Sequence, residues 1–455
     1  MALVVQLVLT GHDFTSGDVL GFAIDIDAGK AFIRKNADAF LASADPSSGD
    51  NPNHTFTAGQ PMTPFIGSYR SIEYTLNCGQ DSSFGGRETA TTNADSNGFG
   101  TFHTAPPSGY LALCTANLPE PTIGPSSTTQ STDHFESSIY EGNGGTQNIA
   151  VSFKPDWTWI KNRDANDAHQ LFDSSRGVTN VLPSNTTTAE DANDDTLTAF
   201  ISTGFSLGDD VTVNTNNESY VAWNWKANGG TTTTNDASST SVGTIDSAVQ
   251  ANTTAGFSIV TYTGTGSAGT IAHGLGVVPK WYFCRRLSNT GHWEVYHASN
   301  TAAPATEHLR LSTDDATGDD AQYFNDTDPT STVFSVGDHT NVNASANTYV
   351  AYVFAEVKGF SKFGTYVGNG STNGATVFTG FKPAFIMFKR TDAADNWAMY
   401  DNKRDVVNYR DSYIYADSNA VEATYSTAIL DFLSTGFKWR GAVNFGNNSS
   451  GTYVY

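Results

Sequence analysis

Three short segments of the chain carry side chains whose types and spacing suit ligand contact. They are "PDWTWIKNR" from Pro155, "PKWYFCRRL" from Pro279 and "PAFIMFKRT" from Pro383. Each has an aromatic residue two positions after the proline (Trp157, Trp281, Phe385) and a cation six after it (Lys161, Arg285, Lys389). Alternate residues of a strand share a face, so aromatic and cation project together. Trp159 adds a second ring to the first segment, and Trp397 belongs to the strand that follows the third. Such a set is a platform on which a sugar ring stacks, with the cation as a polar handle. The competing reading is a core strand whose last cation emerges at the rim. Cys284, Ile386 and Phe388 make the opposite face apolar too, so burial on both faces is the stronger expectation.

Other motifs offer less. "GTGSAG" at Gly264–Gly269 satisfies GxGxxG, but a dinucleotide site needs a helix N-terminus behind the glycines. The chain continues "TIAHGLGVVP", without helical period, and the sister turns "GNGGTQ" and "GNGSTN" lack the third glycine; a hairpin turn is expected. The acidic stretches "AEDANDD" (Ala189–Asp195) and "STDDATGDD" (Ser312–Asp320) supply carboxylates for a weak calcium site without the EF-hand spacing, and solvated loops are expected. Neither GxSxG nor HExxH occurs, and no carboxylate pair recurs in a distinctive setting. The chain reads as non-enzymatic and free of cofactors. His273, in "IAHGLGVVPKW", has no counterpart in the sister segments "IAVSFKPDW" and "VFTGFKPAF", which weakens a catalytic role for it.

The elements that position these segments form a threefold repeat. Each unit opens on Tyr-x-Gly-x-Gly at Tyr140, Tyr262 and Tyr366, and the anchoring proline follows 15, 17 and 17 residues later. Phe205, Phe334 and Phe437 mark a later strand, and closing strands begin around Tyr220, Tyr349 and Tyr453. Short aromatic strands between Gly, Asn, Asp, Ser and Thr turns predict tandem antiparallel β-sandwiches. The expected boundaries are 139–228, 257–358 and 359–455, with a linker over 125–138 and a low-complexity one over 229–256. The third unit stops at "GTYVY", within a strand its sisters continue; truncation is expected there, the alternative being a strand supplied by another chain.

Composition agrees with an all-β fold: aromatics make up 12% of 455 residues and charged residues only 15%. A net charge of -22 repels a phosphate backbone and disfavours nucleic-acid binding. Cys78, Cys114 and Cys284 cannot close a disulfide set and are expected as small buried hydrophobes. The opening "MALVVQLVLTGHDF" is too short to span a bilayer and lacks a basic leader region, and is expected to be a strand.

Residues 1–124 differ in texture. "SGDVLGFAIDIDAGKAFIRKN" (Ser16–Asn36), "FIGSYRSIEYTLNCGQDSSF" (Phe65–Phe84) and "PPSGYLALCTANLPEPTI" (Pro106–Ile123) resemble, in order, the centre, later core strands and closing segment of a SPRY domain. The family's opening strands have no counterpart before Met1, which implies a partial or partner-completed sandwich. That closing segment, followed by the repeats and "IAHGLGVVPKW", resembles marine bacteriophage tail or fibre proteins that carry SPRY-like and concanavalin-like (jelly-roll) modules in series. The resemblance implies a virion protein, structural and adhesive, whose partners are other virion subunits and a bacterial surface glycan or protein. It also implies a homo-oligomer, a trimer being favoured, without membrane insertion. Trp157, Trp159, Lys161, Trp281, Arg285, Lys389 and Trp397 are the candidate contacts. The alternatives are a capsid decoration or head-fibre protein, and the carbohydrate-binding part of a secreted polysaccharide-active enzyme.

Overall fold

The computed structural model describes residues 15–56, 75–117, 121–124, 128–427 and 429–455. The chain divides into two compact units, Met1–Glu120 and Pro121–Tyr455.

In the first unit, β1 (Leu20–Asp25) and β2 (Lys30–Lys35) form a hairpin, and β3 (His54–Thr55) pairs with β2. The hairpin closes because the Asp25 carboxylate accepts from Ala28 N at 2.9 Å and Gly29 takes a φ of 66°, a region open to glycine. Ala23, Phe32 and Ala44 form a buried cluster, packed with Phe40 and Tyr110. The expected opening strand and residues 65–74 of the SPRY-like segment lie outside the described residues.

The second unit holds three modules of one plan. Module 1 comprises β4 (Phe135–Glu141), β5 (Gln147–Ala150), β6 (Trp157–Asn162), β7 (Gln170–Asp173), β8 (Gly177–Leu182), β9 (Asp191–Ala192), β10 (Leu197–Ile201), β11 (Gly204–Leu207) and β12 (Ser219–Trp225). Module 2 comprises β13 (Thr233–Asn235), β14 (Ser247–Asn252), β15 (Phe257–Thr263), β16 (Gly269–Ala272), β17 (Trp281–Arg286), β18 (Glu294–His297), β19 (Glu307–Arg310), β20 (Gly318–Asp319), β21 (Val333–Val336) and β22 (Thr348–Phe354). Module 3 comprises β23 (Thr365–Val367), β24 (Thr376–Phe378), β25 (Phe385–Arg390), β26 (Ala398–Asp401), β27 (Ser412–Tyr415), β28 (Ala423–Thr424), β29 (Leu430–Leu433), β30 (Gly436–Trp439) and β31 (Thr452–Val454). The large sheets run β4-β12-β6-β7-β8-β9, β13-β14-β15-β22-β17-β18-β19-β20 and β23-β31-β25-β26-β27-β28. The small sheets are β10-β11-β5, β16-β21 and β24-β30-β29. All named strand pairs are antiparallel.

The Tyr-x-Gly-x-Gly opener has a physical explanation. The tyrosine stacks on the closing-strand tyrosine: Tyr140 on Tyr220 at 5.0 Å, Tyr262 on Tyr349 at 5.1 Å, Tyr366 on Tyr453 at 5.1 Å. Its hydroxyl donates to the oxygen of Val213, Val342 or Gly446 at 2.7 to 2.8 Å. A Cβ on the first glycine (Gly142, Gly264, Gly368) would lie 2.1 to 2.3 Å from a main-chain oxygen, and the second (Gly144, Gly266, Gly370) has φ of 63° to 76°. Only glycine meets both demands.

Each large sheet is buried on both faces. One face packs on its own small sheet, as Ile160, Phe172, Phe205 and Tyr220 do in module 1. The other joins a single cluster drawn from all three modules, including Trp157, Trp159, Phe283, Tyr352, Met387 and Trp397. The modules are therefore three sandwiches sharing a central core.

Two expected linkers are corrected. Residues 229–256 contain β13, a helical turn at Ala237–Thr240 and β14, because the Thr- and Ser-rich text hides an alternation in which Ser247 and Val249 are buried. The 125–138 stretch contains a 3-10 turn at Ser131–Asp133 and the start of β4. "GTGSAG" connects β15 to β16 in a different sheet, so it is an inter-sheet turn and no hairpin.

Candidate functional site

The seven candidate contacts are withdrawn from solvent: Trp281, the most accessible, is 8% exposed, and Trp157, Lys161, Arg285 and Lys389 are 0%. The sugar-stacking platform is thereby replaced by the core reading. Aromatic rings, two of them candidates, meet across every seam between modules. Trp157 stacks on Tyr352 of module 2 at 4.5 Å, Trp223 lies 5.8 Å from Phe385 of module 3, and Trp281 lies 6.0 Å from Phe363 of module 3. The cations end on main-chain oxygens rather than on carboxylates. Lys161 Nζ donates to Asn162 and Ala165, Arg285 to Gly291 and to Thr188 of module 1, and Lys389 to Arg390 and to Asp314 of module 2. Burial lowers Lys161 and Lys389 to about 8 and Arg285 to about 10.

Two sets of hydrogen bonds repeat around the ring. Trp293 Nε1 donates to Pro183 O at 2.9 Å, Trp397 Nε1 to Arg310 O at 2.8 Å, and His169 Nε2 lies 3.0 Å from Tyr415 O. Strand register makes the three donors equivalent and the three acceptors equivalent. The second set runs the other way: Glu190 N to Leu287 O, Thr317 N to Thr391 O and Glu422 N to Arg163 O, each 3.0 Å. Both sets close a circuit through all three modules.

Buried ion pairs reinforce two seams. Tyr352 OH donates to Asp173 Oδ2 at 2.7 Å, beside Arg176, which also reaches Glu190 at 2.6 Å. Trp223 Nε1 donates to Asp401 Oδ2 at 3.2 Å, beside Arg404, which also reaches Glu422 at 2.9 Å. At the third seam His297, the equivalent of those aspartates, lies 3.1 Å from Tyr455 O.

Three residues that the sequence reading missed hold the loops. Asn214, Asn343 and Asn447 are fully buried. Each accepts from the residue after the first motif glycine (Asn143, Thr265, Asn369) at 2.8 to 3.0 Å. Each also donates to Gly208, Gly337 or Gly441 at 2.7 to 3.0 Å. The available signal was an asparagine six residues before each closing tyrosine.

His273 is buried, with Nε2 3.1 Å from Thr330 O and Nδ1 accepting from Leu275 N, a structural setting. The acidic loops contain β9 and β20, and among the described residues no three His, Cys, Asp or Glu side chains converge as metal ligands. Cys284 is buried, which drives its thiol up to about 12, whereas Cys78 and Cys114 are partly exposed.

The outer surface offers two features of another kind. A cleft of about 740 Å³ crosses the seam between modules 1 and 2, lined by Glu190, Thr234, Asp246, Thr261 and Thr263 among others. On module 3, Val406, Val407 and Tyr409 are exposed on one loop and Phe378 on the small sheet. Among the described residues no helix is long and apolar enough to cross a membrane.

These features define an all-β protein with sandwich modules welded into a ring. Residues 130–455 match the domain of unknown function DUF7483, and the chain belongs to that family. The match spans all three modules. No curated protein and no solved structure matches the chain.

Proposed function

We propose that this chain is a structural and adhesive component of a bacteriophage virion, a tail fibre or related appendage that presents its outer loops and clefts to a bacterial surface glycan or protein. The observation that carries the reading is the shared core. A ring in which every large sheet is buried on both faces is a rigid mount, and recognition on such mounts falls to loops and seams. The hydroxyl-lined cleft between modules 1 and 2 is the favoured glycan contact, because polar groups on a fixed floor orient a ligand without first being ordered.

Staining of marine bacterial strains by the labelled chain, with and without stripped surface polysaccharide, tests this. The expected result is strain-selective staining lost on stripping, and reduced when Thr261 and Thr263 are replaced by Arg. Absence of staining on every strain, from a folded chain, overturns the adhesive role.

A further inference from the structure

The three large sheets end differently at one equivalent edge. β4, β15 and β23 each lie beside a closing strand, and among the described residues only the module 2 sheet continues past that step. There β14 pairs along β15 from Ser247↔Tyr262 to Asn252↔Phe257, and β13 follows. In module 1 the sheet stops at β4 among the described residues.

The hydrogen-bond phase of β4 shows what this leaves open. Gly142 N donates to Glu218 O and Lys226 N to His134 O, so the even residues Glu136, Ser138 and Tyr140 exchange main-chain bonds with β12. Phe135, Ser137, Ile139 and Glu141 turn their main-chain groups outward. Among the described residues, the one contact made to these groups is from the Gln147 side chain to Glu141 O. Their counterparts in module 2, Phe257, Ile259 and Thr261, lie along β14.

We propose that the β4 edge is a strand-addition site for an extended segment of a partner polypeptide, seated antiparallel to β4 as β14 is seated on β15. The module 2 arrangement also specifies the segment's chemistry. Inward residues must be small or apolar, as Ser247 and Val249 are. Gln250, on the other face, binds Ser174 and Ser175 of module 1. The equivalents of those serines at the seam facing β4 are Asn402 and Lys403, and Lys403 Nζ is 3.5 Å from Glu136 with its side chain 44% exposed. The partner therefore carries an amide or, by charge complementarity, a carboxylate at the Gln250 position.

The test is amide hydrogen exchange on the full chain, alone and with a synthetic peptide of residues 244–254. Ser137 is buried, whereas Ile139 and Glu141 are exposed; in the free chain the amides of Ile139 and Glu141 should therefore exchange rapidly, and the peptide should slow them by about tenfold or more. A peptide carrying Gln250→Glu should bind about threefold tighter, an advantage lost in high salt. Ile139→Pro removes one outward donor and should abolish binding. Should that variant fail to fold, a peptide N-methylated at alternate residues tests the same bonds on the unaltered chain. Outward amides already protected in the free chain, no protection by either peptide, or binding that survives both Ile139→Pro and N-methylation overturns the proposal. Protection that appears only with rising chain concentration assigns the edge to a second copy and overturns the partner.

Discussion

The indole N–H of Trp397 donates to the main-chain oxygen of Arg310 at 2.8 Å, carrying module 3 onto module 2. Trp293 makes the same bond to Pro183, carrying module 2 onto module 1. Both acceptors lie at seams where little water competes, so Trp397→Phe keeps most of the packing yet leaves a carbonyl without its donor. The expected cost is about 1–3 kcal/mol, read as a lower denaturant midpoint with an unchanged slope. A loss below about 0.5 kcal/mol would mean that the bond contributes nothing beyond packing.

Because one cluster serves three modules, the unit Pro121–Tyr455 should unfold in one transition. Trp157 is fully buried and touches Phe257, Phe283 and Tyr352 of module 2 besides Trp225 of its own. Trp157→Ala should cost about 3–5 kcal/mol and lower hydrogen-exchange protection in modules 2 and 3 as well as in module 1. Protection lost in module 1 alone would show three independent folding units.

The repeat landmarks were legible because each is a local demand: a glycine beneath a main-chain oxygen at Gly142, Gly264 and Gly368, or a tyrosine stacked on a tyrosine. Burial of the Trp157 strand on both faces was also legible, from the apolar residues on its second face. What covers that face was not. A strand pattern records that a side is dry without recording whether its own sandwich or a sister module dries it, so Lys161, Arg285 and Lys389 looked like cations at a rim. Their partners are main-chain oxygens, which leave no mark in a sequence. β14 escaped notice because Ser247, Ala248 and Gln250 are polar or small, although Ser247, Val249 and Gln250 are buried.

His169 makes acid stability a test of the seam. Its Nδ1 accepts from Trp159 Nε1 at 2.8 Å and its Nε2 donates to Tyr415 O, an arrangement only the neutral ring can make. Burial, then the nearby Lys161, hold its pKa down to about 3. The unfolded chain, with a histidine near 6.5, binds the extra proton between those values, so stability falls as pH drops from 6.5 towards 3. The slope from this one group is at most about 1.4 kcal/mol per pH unit. His169→Gln should remove that slope. The difference between the two stability curves below pH 6 isolates it from other histidines, and parallel curves there would refute the assignment.

Asp401, the equivalent of Asp173, lies at the same seam between modules 1 and 3 as His169. Its side chain and that of Arg404 are fully buried, it accepts from Trp223 Nε1, and Arg404 lies 5.8 Å from the Trp223 ring. Burial raises the carboxyl pKa, yet the Arg404 guanidinium overrides that and holds it below the usual range. Asp401→Asn therefore leaves a buried cation with Glu422 alone, at an expected cost of about 3–5 kcal/mol. Asp401→Asn combined with Arg404→Met removes both charges and should cost less than the two single losses added, since neither partner is then stranded. Additive losses in a double-mutant cycle would show that the pair is not coupled, and the seam would then rest on the aromatic core and the main-chain circuit.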